Sequence, residues 1–171
     1  VDVVVLHDFG CYFISNVLET EIRDKKIVNP DKVVVVFDHF FSPPDESKAA
    51  VLRHNREFIK RYGIRHFYDS GSGICHYVML EEGFVRPGMV IGGSDSHTTG
   101  FGAFGAFATG LGNNSIAGLF FGKGKGWFRV PEVVKVEILG GSIPKGVVAR
   151  DIIQAVIREL GEDGAIYEAI E

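Results

Sequence analysis

The sequence has little cysteine, no long apolar run and no excess of basic charge. Its two cysteines, Cys11 and Cys75, are too few and too far apart for a disulfide framework, which favours a reducing, cytoplasmic compartment. No run reaches the roughly 18 apolar residues of a membrane span, and the net charge of −4 argues against general binding to nucleic acid or membrane surfaces. The chain opens at Val1 without a methionine or a basic leader, so we expect a piece of a longer protein.

Short apolar runs alternate with amphipathic segments along the 171 residues. The runs at 3–6, 33–37, 66–68, 89–91 and 133–139 predict strands. The patterns at 13–22, 47–62, 75–82, 104–111 and 151–160 predict helices. The last helix is expected to turn five side chains inward: Ile152, Ile153, Val156, Ile157 and Leu160. This alternation predicts one layered α/β domain over residues 1–171, with a mainly parallel sheet.

Histidine, aspartate and hydroxyl residues recur directly after the predicted strands. They are His7-Asp8, Asp38-His39, Asp69 with the segment up to His76, and Asp95-Ser96-His97-Thr98-Thr99. Because the carboxyl ends of parallel strands meet at one edge of a sheet, these groups should converge there. Histidine beside carboxylate is the usual acid–base pair near neutral pH, and the Ser96 hydroxyl is suited to orienting a substrate carboxylate. Any one Asp-His pair is more simply a cap or a loop polar group, but the four together predict an active site.

Other motifs carry weaker signals. Gly100-Phe101-Gly102-Ala103-Phe104-Gly105 matches a dinucleotide-binding pattern, but residues 95–99 separate it from the strand, and Lys125 stands where an acid should bind ribose. Close packing of these glycines is the simpler interpretation. Cys75 is better explained as a small buried residue than as a metal ligand, and His54 as a surface residue of its helix. A Zn²⁺ or Fe²⁺ site built from His39, His76 and His97 remains a further alternative.

Seven sequence blocks are spread along nearly the whole chain. They are Asp38-His39, Gly71-Ser72-Gly73-Ile74-Cys75-His76, Glu81-Glu82-Gly83-Phe84-Val85-Arg86-Pro87-Gly88, Asp95-Ser96-His97-Thr98, Gly102-Ala103-Phe104-Gly105-Ala106-Phe107-Ala108-Thr109-Gly110-Leu111-Gly112, Trp127-Phe128-Arg129-Val130-Pro131-Glu132 and Asp163-Gly164-Ala165-Ile166-Tyr167. In order and spacing these blocks resemble the aconitase superfamily, most of all the large subunits of 3-isopropylmalate dehydratase and homoaconitase. The Asp-Ser-His-Thr block with its downstream glycines is highly specific.

The resemblance implies an α/β/α layered fold and a hydro-lyase that isomerises a 2- or 3-hydroxy acid by losing and regaining water. The best match is 3-isopropylmalate, which would place the enzyme in leucine biosynthesis. A [4Fe–4S] cluster would bind the substrate and act as a Lewis acid. The implied catalytic residues are Asp38, His39, His76, Asp95, Ser96 and His97. The implied substrate-binding residues are His7, Asp8 and Ser96, and no residue of this chain is an implied metal ligand.

The sequence also departs from the family pattern. The cysteines expected to hold the cluster lie beyond Glu171, and the serine base is expected on a small subunit or swivelling domain, so the chain alone is expected to be inactive. Phe9-Gly10-Cys11 replaces a usual Thr/Ser-x-Pro, and Tyr77, Gly100 and Ser115 replace a usual glutamine, threonine and aspartate. A non-catalytic relative, acting as an anion-binding or interaction module, is therefore the alternative function.

Overall fold

The computed structural model describes residues 1–171. Contacts group the chain into two compact units, Val1–Gly126 and Trp127–Glu171. The sequence predicted one domain over residues 1–171, and that expectation stays a prediction beside this division. None of the helices combines the length and the apolar character needed to cross a bilayer.

The first unit is built on a five-stranded sheet. Its strands are β1 (Val3–His7), β2 (Val33–Val36), β3 (His66–Tyr68), β4 (Val90–Gly93) and β5 (Phe107–Gly110). They pair in the order β3-β2-β1-β4-β5, and every pairing is parallel. The two central strands β1 and β2 are apolar or β-branched at nearly every position and fully buried, as parallel strands covered on both faces should be.

Four helices belong to this unit: α1 (Asp8–Thr20), α2 (Glu46–Tyr62), α3 (Cys75–Glu81) and the short α4 (Asn113–Ser115). Helix α2 has clear end signals, since the Asp45 side chain accepts a hydrogen bond from the Lys48 N–H (2.8 Å) and Gly63 ends the helix in a left-handed conformation. A π-helical turn, Ile116–Phe121, continues α4, and 3₁₀ segments span Pro30–Lys32 and Ser96–Phe104.

Alternating side chains of the strands pack on two sides of the sheet. On one side Val3, Val5, Val34 and Val36 pack with Met79 and other residues of α3. Helices α1 and α2 contact each other, and α1 also contacts β1 and β2. The predicted α/β class with a mainly parallel sheet is confirmed. The chain runs outward from β1 through β2 to β3 on one side and returns to β4 on the other, so the topological switch lies between β1 and β4.

The helix predicted over 104–111 is wrong. Residues up to Phe104 finish the 3₁₀ segment, Gly105 turns the chain in a left-handed conformation (φ 77°), and Phe107–Gly110 add β5 to the edge of the sheet. The helix predicted over 13–22 begins earlier, at Asp8, because the His7 side chain caps its first turn. The other helices and strands of this unit lie close to their predicted positions.

The second unit, Trp127–Glu171, has helix α5 (Ala149–Leu160) and a two-stranded parallel sheet of β6 (Val133–Val134) and β7 (Ala169–Ile170). Helix α5 confirms the prediction over 151–160, but its apolar side chains are not enclosed, since Ile153 and Ile157 are about half exposed. Only two residues of the predicted strand 133–139 form β6. A unit of this size has too little chain to cover both faces of its own helix.

Candidate active site

The predicted polar residues lie at the carboxyl ends of β1, β2 and β4. They form two groups of side chains, each with two histidines around one aspartate. His7, Asp8 and His39 form the first group, and His76, Asp95 and His97 form the second. The groups come from neighbouring strands, and the His7 N–H donates to the Ser94 hydroxyl (3.4 Å), directly before Asp95. The site therefore lies at the topological switch between β1 and β4.

The first group places one exposed histidine over two carboxylates. His39 Nδ1 lies 2.8 Å from Asp38 Oδ1 and 3.4 Å from Asp8 Oδ1, and its ring is 4.3 Å from that of His7. Because a carboxylate only accepts hydrogen bonds, His39 Nδ1 carries the proton and Nε2 presents its lone pair outward. Asp38 also accepts from the Cys75 N–H (2.7 Å), which fixes the start of α3 against the end of β2. This pairing leaves His39 Nε2 available to a ligand.

Asp8 is fully buried and organises the loop that carries His39. Its carboxylate accepts from the N–H groups of Phe9 (2.8 Å), His39 (3.3 Å) and Phe40 (2.7 Å). Burial raises the pKa of Asp8, but the His7 side chain, these N–H groups and nearby His39 outweigh it, so the pKa lies below its ordinary value. Asp8 is therefore an ionised structural anchor at neutral pH.

Acid is expected to destabilise the fold through Asp8. Its pKa is lower in the folded than in the unfolded chain, so its contribution is complete above the unfolded value, about 4, and is lost as the pH falls through the folded value. Urea unfolding at pH 7 and pH 3 tests this in the wild type and in Asp8→Asn. The variant should be clearly less stable at pH 7, and the difference should shrink at pH 3, which is below the unfolded value, so that the contribution of the charge has begun to be lost. A difference that stays constant across this range would rule out the linkage.

The second group is held by Asp95. One oxygen of this carboxylate accepts from the His97 N–H (2.6 Å) and from His97 Nδ1 (2.9 Å), and lies 3.5 Å from His76 Nε2. Burial raises the pKa of Asp95. The hydrogen bonds from His97 and the electrostatic interactions with both histidines lower it by more, so the pKa lies below its ordinary value. The ring of buried Phe101 lies 5.6 Å from the ring of His76 and packs against it. An ionised carboxylate thus orients two imidazoles, and that of His97 is largely exposed.

Two glycines allow the backbone to close up around these groups. A Cβ on Gly10 would meet the Ser94 hydroxyl oxygen at 2.2 Å, and one on Gly93 would meet the Thr98 hydroxyl oxygen at 2.1 Å. That Thr98 hydroxyl donates to the Asp95 carbonyl (2.6 Å). The close packing predicted for the glycines at 100–105 is wrong for Gly100 and Gly102, where an added Cβ would meet nothing within 4 Å, and holds only for Gly105, where it would lie 3.1 Å from the Pro87 Cβ. The motif also forms no strand-to-helix phosphate turn.

Sequence reasoning missed two supporting residues and misplaced a third. Buried Asn55 donates from its amide to the Asp8 carbonyl (2.7 Å), while its own Oδ1 is buried without a partner. Ser94 gives no signal of its own in the sequence, because it directly precedes the more conspicuous Asp95. His54, expected on the surface, is half-buried, and its Nε2 lies 2.8 Å from the buried Ser15 hydroxyl, so it joins α2 to α1. Asn55 and His54 lie on the stripe of α2 that faces α1, which helical periodicity could have indicated.

The remaining predicted residues have separate surroundings. Ser96 is exposed at the start of the 3₁₀ segment, close in sequence to Asp95 and His97. Asp69, at the end of β3, is held in a bidentate ion pair by Arg56 (2.9 and 2.7 Å) and belongs to neither group. The metal site of His39, His76 and His97 is not formed as one group, because His39 clusters with His7 and Asp8 instead.

The two cysteines do not fit the role of cluster ligands. Cys11 and Cys75 are both buried, and burial together with nearby carboxylates raises the pKa of each thiol. Iron–sulfur clusters are held by thiolates, which these surroundings disfavour. No residue of this chain is therefore assigned to hold a cluster.

Comparison with known proteins gives the family. A sequence model of the aconitase family (aconitate hydratase) matches residues 1–171. The chain is 47% identical over its full length to 3-isopropylmalate dehydratase large subunit 1 of Methanopyrus kandleri and covers 40% of that protein. It is 43% identical over its full length to a methanogen homoaconitase large subunit of Methanocaldococcus jannaschii, covering 39% of it. A homoaconitase large subunit of Thermus thermophilus is 46% identical over 83% of the chain and 33% of its own length. The chain thus spans about two-fifths of such relatives, and with the family model matching it from end to end, it belongs to the aconitase family.

Proposed function

We propose that this chain is part of the large subunit of a hydro-lyase. The enzyme would isomerise a 2- or 3-hydroxy acid, with 3-isopropylmalate as the preferred substrate, by removing and re-adding water. The observation that carries the proposal is the pair of His–Asp–His groups at the switch point of a chain whose relatives are named 3-isopropylmalate dehydratase and homoaconitase large subunits. Leucine biosynthesis and a cytoplasmic location follow as part of this proposal, and the two free cysteines support the latter.

The chain's own residues suit the proton transfers of such a reaction. Losing water from a hydroxy acid needs a proton for the departing hydroxyl and a base for the neighbouring C–H. His39 is placed to deliver the first proton, because the Asp38 and Asp8 carboxylates hold its Nδ1 and leave Nε2 for the substrate. His97 and His76, oriented by Asp95, would hold substrate carboxylates or the released water, with Ser96 as a further donor.

Two parts of the machinery are assigned outside this chain. Members of the aconitase family generally bind a [4Fe–4S] cluster, and its ligands would lie in another part of the large subunit. The base would lie on the small subunit that the name "large subunit" implies for the relatives. The substrate-binding roles of His7 and Asp8 are indirect in this proposal, since both are buried and act by fixing His39.

Anaerobic reconstitution with iron and sulfide tests the proposal. Two samples are compared: this chain alone, and the full-length large subunit that contains it together with its small subunit. Cluster absorbance and dehydration of 3-isopropylmalate, homocitrate and citrate are measured in both. Cluster and turnover are expected in the second sample only, with 3-isopropylmalate the fastest substrate. A full assembly that binds a cluster but dehydrates none of the three would favour the non-catalytic alternative, a binding or interaction module.

A further inference from the structure

Three phenylalanines, two exposed and one half-buried, form an aromatic patch beside the first histidine group. We define the patch as Phe9, Phe13 and Phe40. The Phe9 ring makes edge contacts with the rings of Phe13 (4.7 Å) and Phe40 (6.1 Å), and Phe9 and Phe13 are 46% and 40% exposed. Phe9 and Phe13 lie one turn apart on α1, and Phe40 comes from the loop after β2. The patch thus joins α1, which begins directly after His7, to the loop that carries His39.

The patch is continuous with the reactive side chains. The Phe9 ring lies nearly parallel to that of His7, with 6.3 Å between centroids, and the His7 ring lies 4.3 Å from that of His39. Asp8 connects the patch to the histidine, since its carboxylate accepts hydrogen bonds from the N–H groups of Phe9, His39 and Phe40. A molecule that contacts His39 Nε2 therefore has an apolar surface beside it.

A lysine lies beside the patch. The Lys48 ammonium lies 5.8 Å from the centre of the Phe40 ring, on α2. A ligand with an alkyl group next to a carboxylate would match this surface, with the alkyl group on the rings and the carboxylate near Lys48. A ligand with a second carboxylate in place of the alkyl group would put negative charge on ring faces that are themselves electron-rich, and would lose hydration without a partner.

We propose that the aromatic patch of Phe9, Phe13 and Phe40 is the specificity subsite for an apolar alkyl substituent of the hydroxy-acid substrate, with Lys48 binding an adjacent carboxylate. The inference rests on the proposed function and adds to it the residues that select the substrate's side chain. It assigns to the patch a preference for a branched alkyl group over a carboxyalkyl group, because alkyl burial against exposed rings is favourable and carboxylate burial is not.

Substitution at Phe9 in the full-length enzyme with its small subunit tests the inference. Phe9→Ala is expected to lower kcat/KM for 3-isopropylmalate about tenfold or more and to change that for homocitrate much less, so that the ratio of the two falls. Phe9→Leu, which keeps an apolar side chain, should retain most of the preference. Phe104→Ala removes an equally exposed ring outside the patch and is the matched control, with an unchanged ratio.

A second measurement keeps this inference separate from the proposed function. Isopropylsuccinate and succinate, which lack the hydroxyl and cannot be dehydrated, are titrated into wild type and Phe9→Ala by calorimetry. Tighter binding of isopropylsuccinate that disappears in Phe9→Ala supports the subsite even if no substrate turns over. Equal loss of kcat/KM for both substrates, or an unchanged ratio, would overturn the subsite while leaving the proposed function intact. Loss of the small subunit from purified Phe9→Ala would also overturn it and identify the patch as a subunit contact.

Discussion

Replacing Asp95 with asparagine is expected to lower kcat of the proposed hydro-lyase by about 10²-fold, because Asp95 orients two histidines of the candidate site and misplaced groups cost about this much. Asparagine keeps the size of the side chain but removes its charge. The carboxylate oxygen that accepts from both the backbone N–H and Nδ1 of His97 would become a neutral amide, and His76 would lose its nearby negative charge. The two imidazoles would then be poorly oriented.

The matched control is Asp69→Asn at the same edge of the sheet. Asp69 also follows a strand, but Arg56 holds both of its oxygens and neither histidine group contacts it. Both partners are substantially exposed, so the loss should cost about 0–1 kcal/mol of stability and leave kcat near the wild-type value. Steady-state kinetics at several pH values compares the two variants, with circular dichroism to check folding. Equal losses of kcat would mean that Asp95 has no special role.

The second large effect is on stability, at Gly93. Alanine at this position is expected to destabilise the protein by about 1–3 kcal/mol, because its Cβ would overlap the Thr98 side chain. Thr98 is fully buried and bonded to the Asp95 carbonyl, so it has little room to move away. The same displacement should disturb the turn that carries Asp95 and His97, and turnover should fall together with stability.

Gly100→Ala provides the comparison within the same glycine-rich segment. A Cβ at Gly100 would meet nothing within 4 Å, and the residue has no left-handed conformation to lose. Its free energy of unfolding, measured by urea titration, should stay within a few tenths of a kcal/mol of wild type. If the two variants are equally stable, the contact between Gly93 and Thr98 does not limit the packing of this turn.

The parts of the fold that sequence could predict are those with unambiguous local chemistry. The valine-rich runs at 3–6 and 33–37 are typical of buried strands. The apolar stripe of α2 and its capping residue indicate a helix equally clearly. Polar residues placed directly after such strands must lie at one edge once the strands are parallel. For that reason the site could be expected around Asp38, His39, Asp95 and His97, although their catalytic roles stay predictions.

Other features depend on contacts that sequence does not specify. Residues 104–111 consist of small and aromatic residues that suit either helix or strand, and the pairing of β5 with β4 decided between them. The grouping of His39 with His7 rather than His76 follows from the order of strands in the sheet. The anchoring of Asp8 by three backbone N–H groups likewise appears only when two loops meet.

The topology gathers every residue assigned to the site between His7 and His97, inside one compact unit. The residues of both polar groups and of the aromatic patch therefore come from one continuous stretch of sequence. Exchange of that stretch between two relatives would keep Asp95 with its histidines and Phe9 with His39. If the patch selects the substrate as proposed, such an exchange should transfer the alkyl preference together with the polar groups.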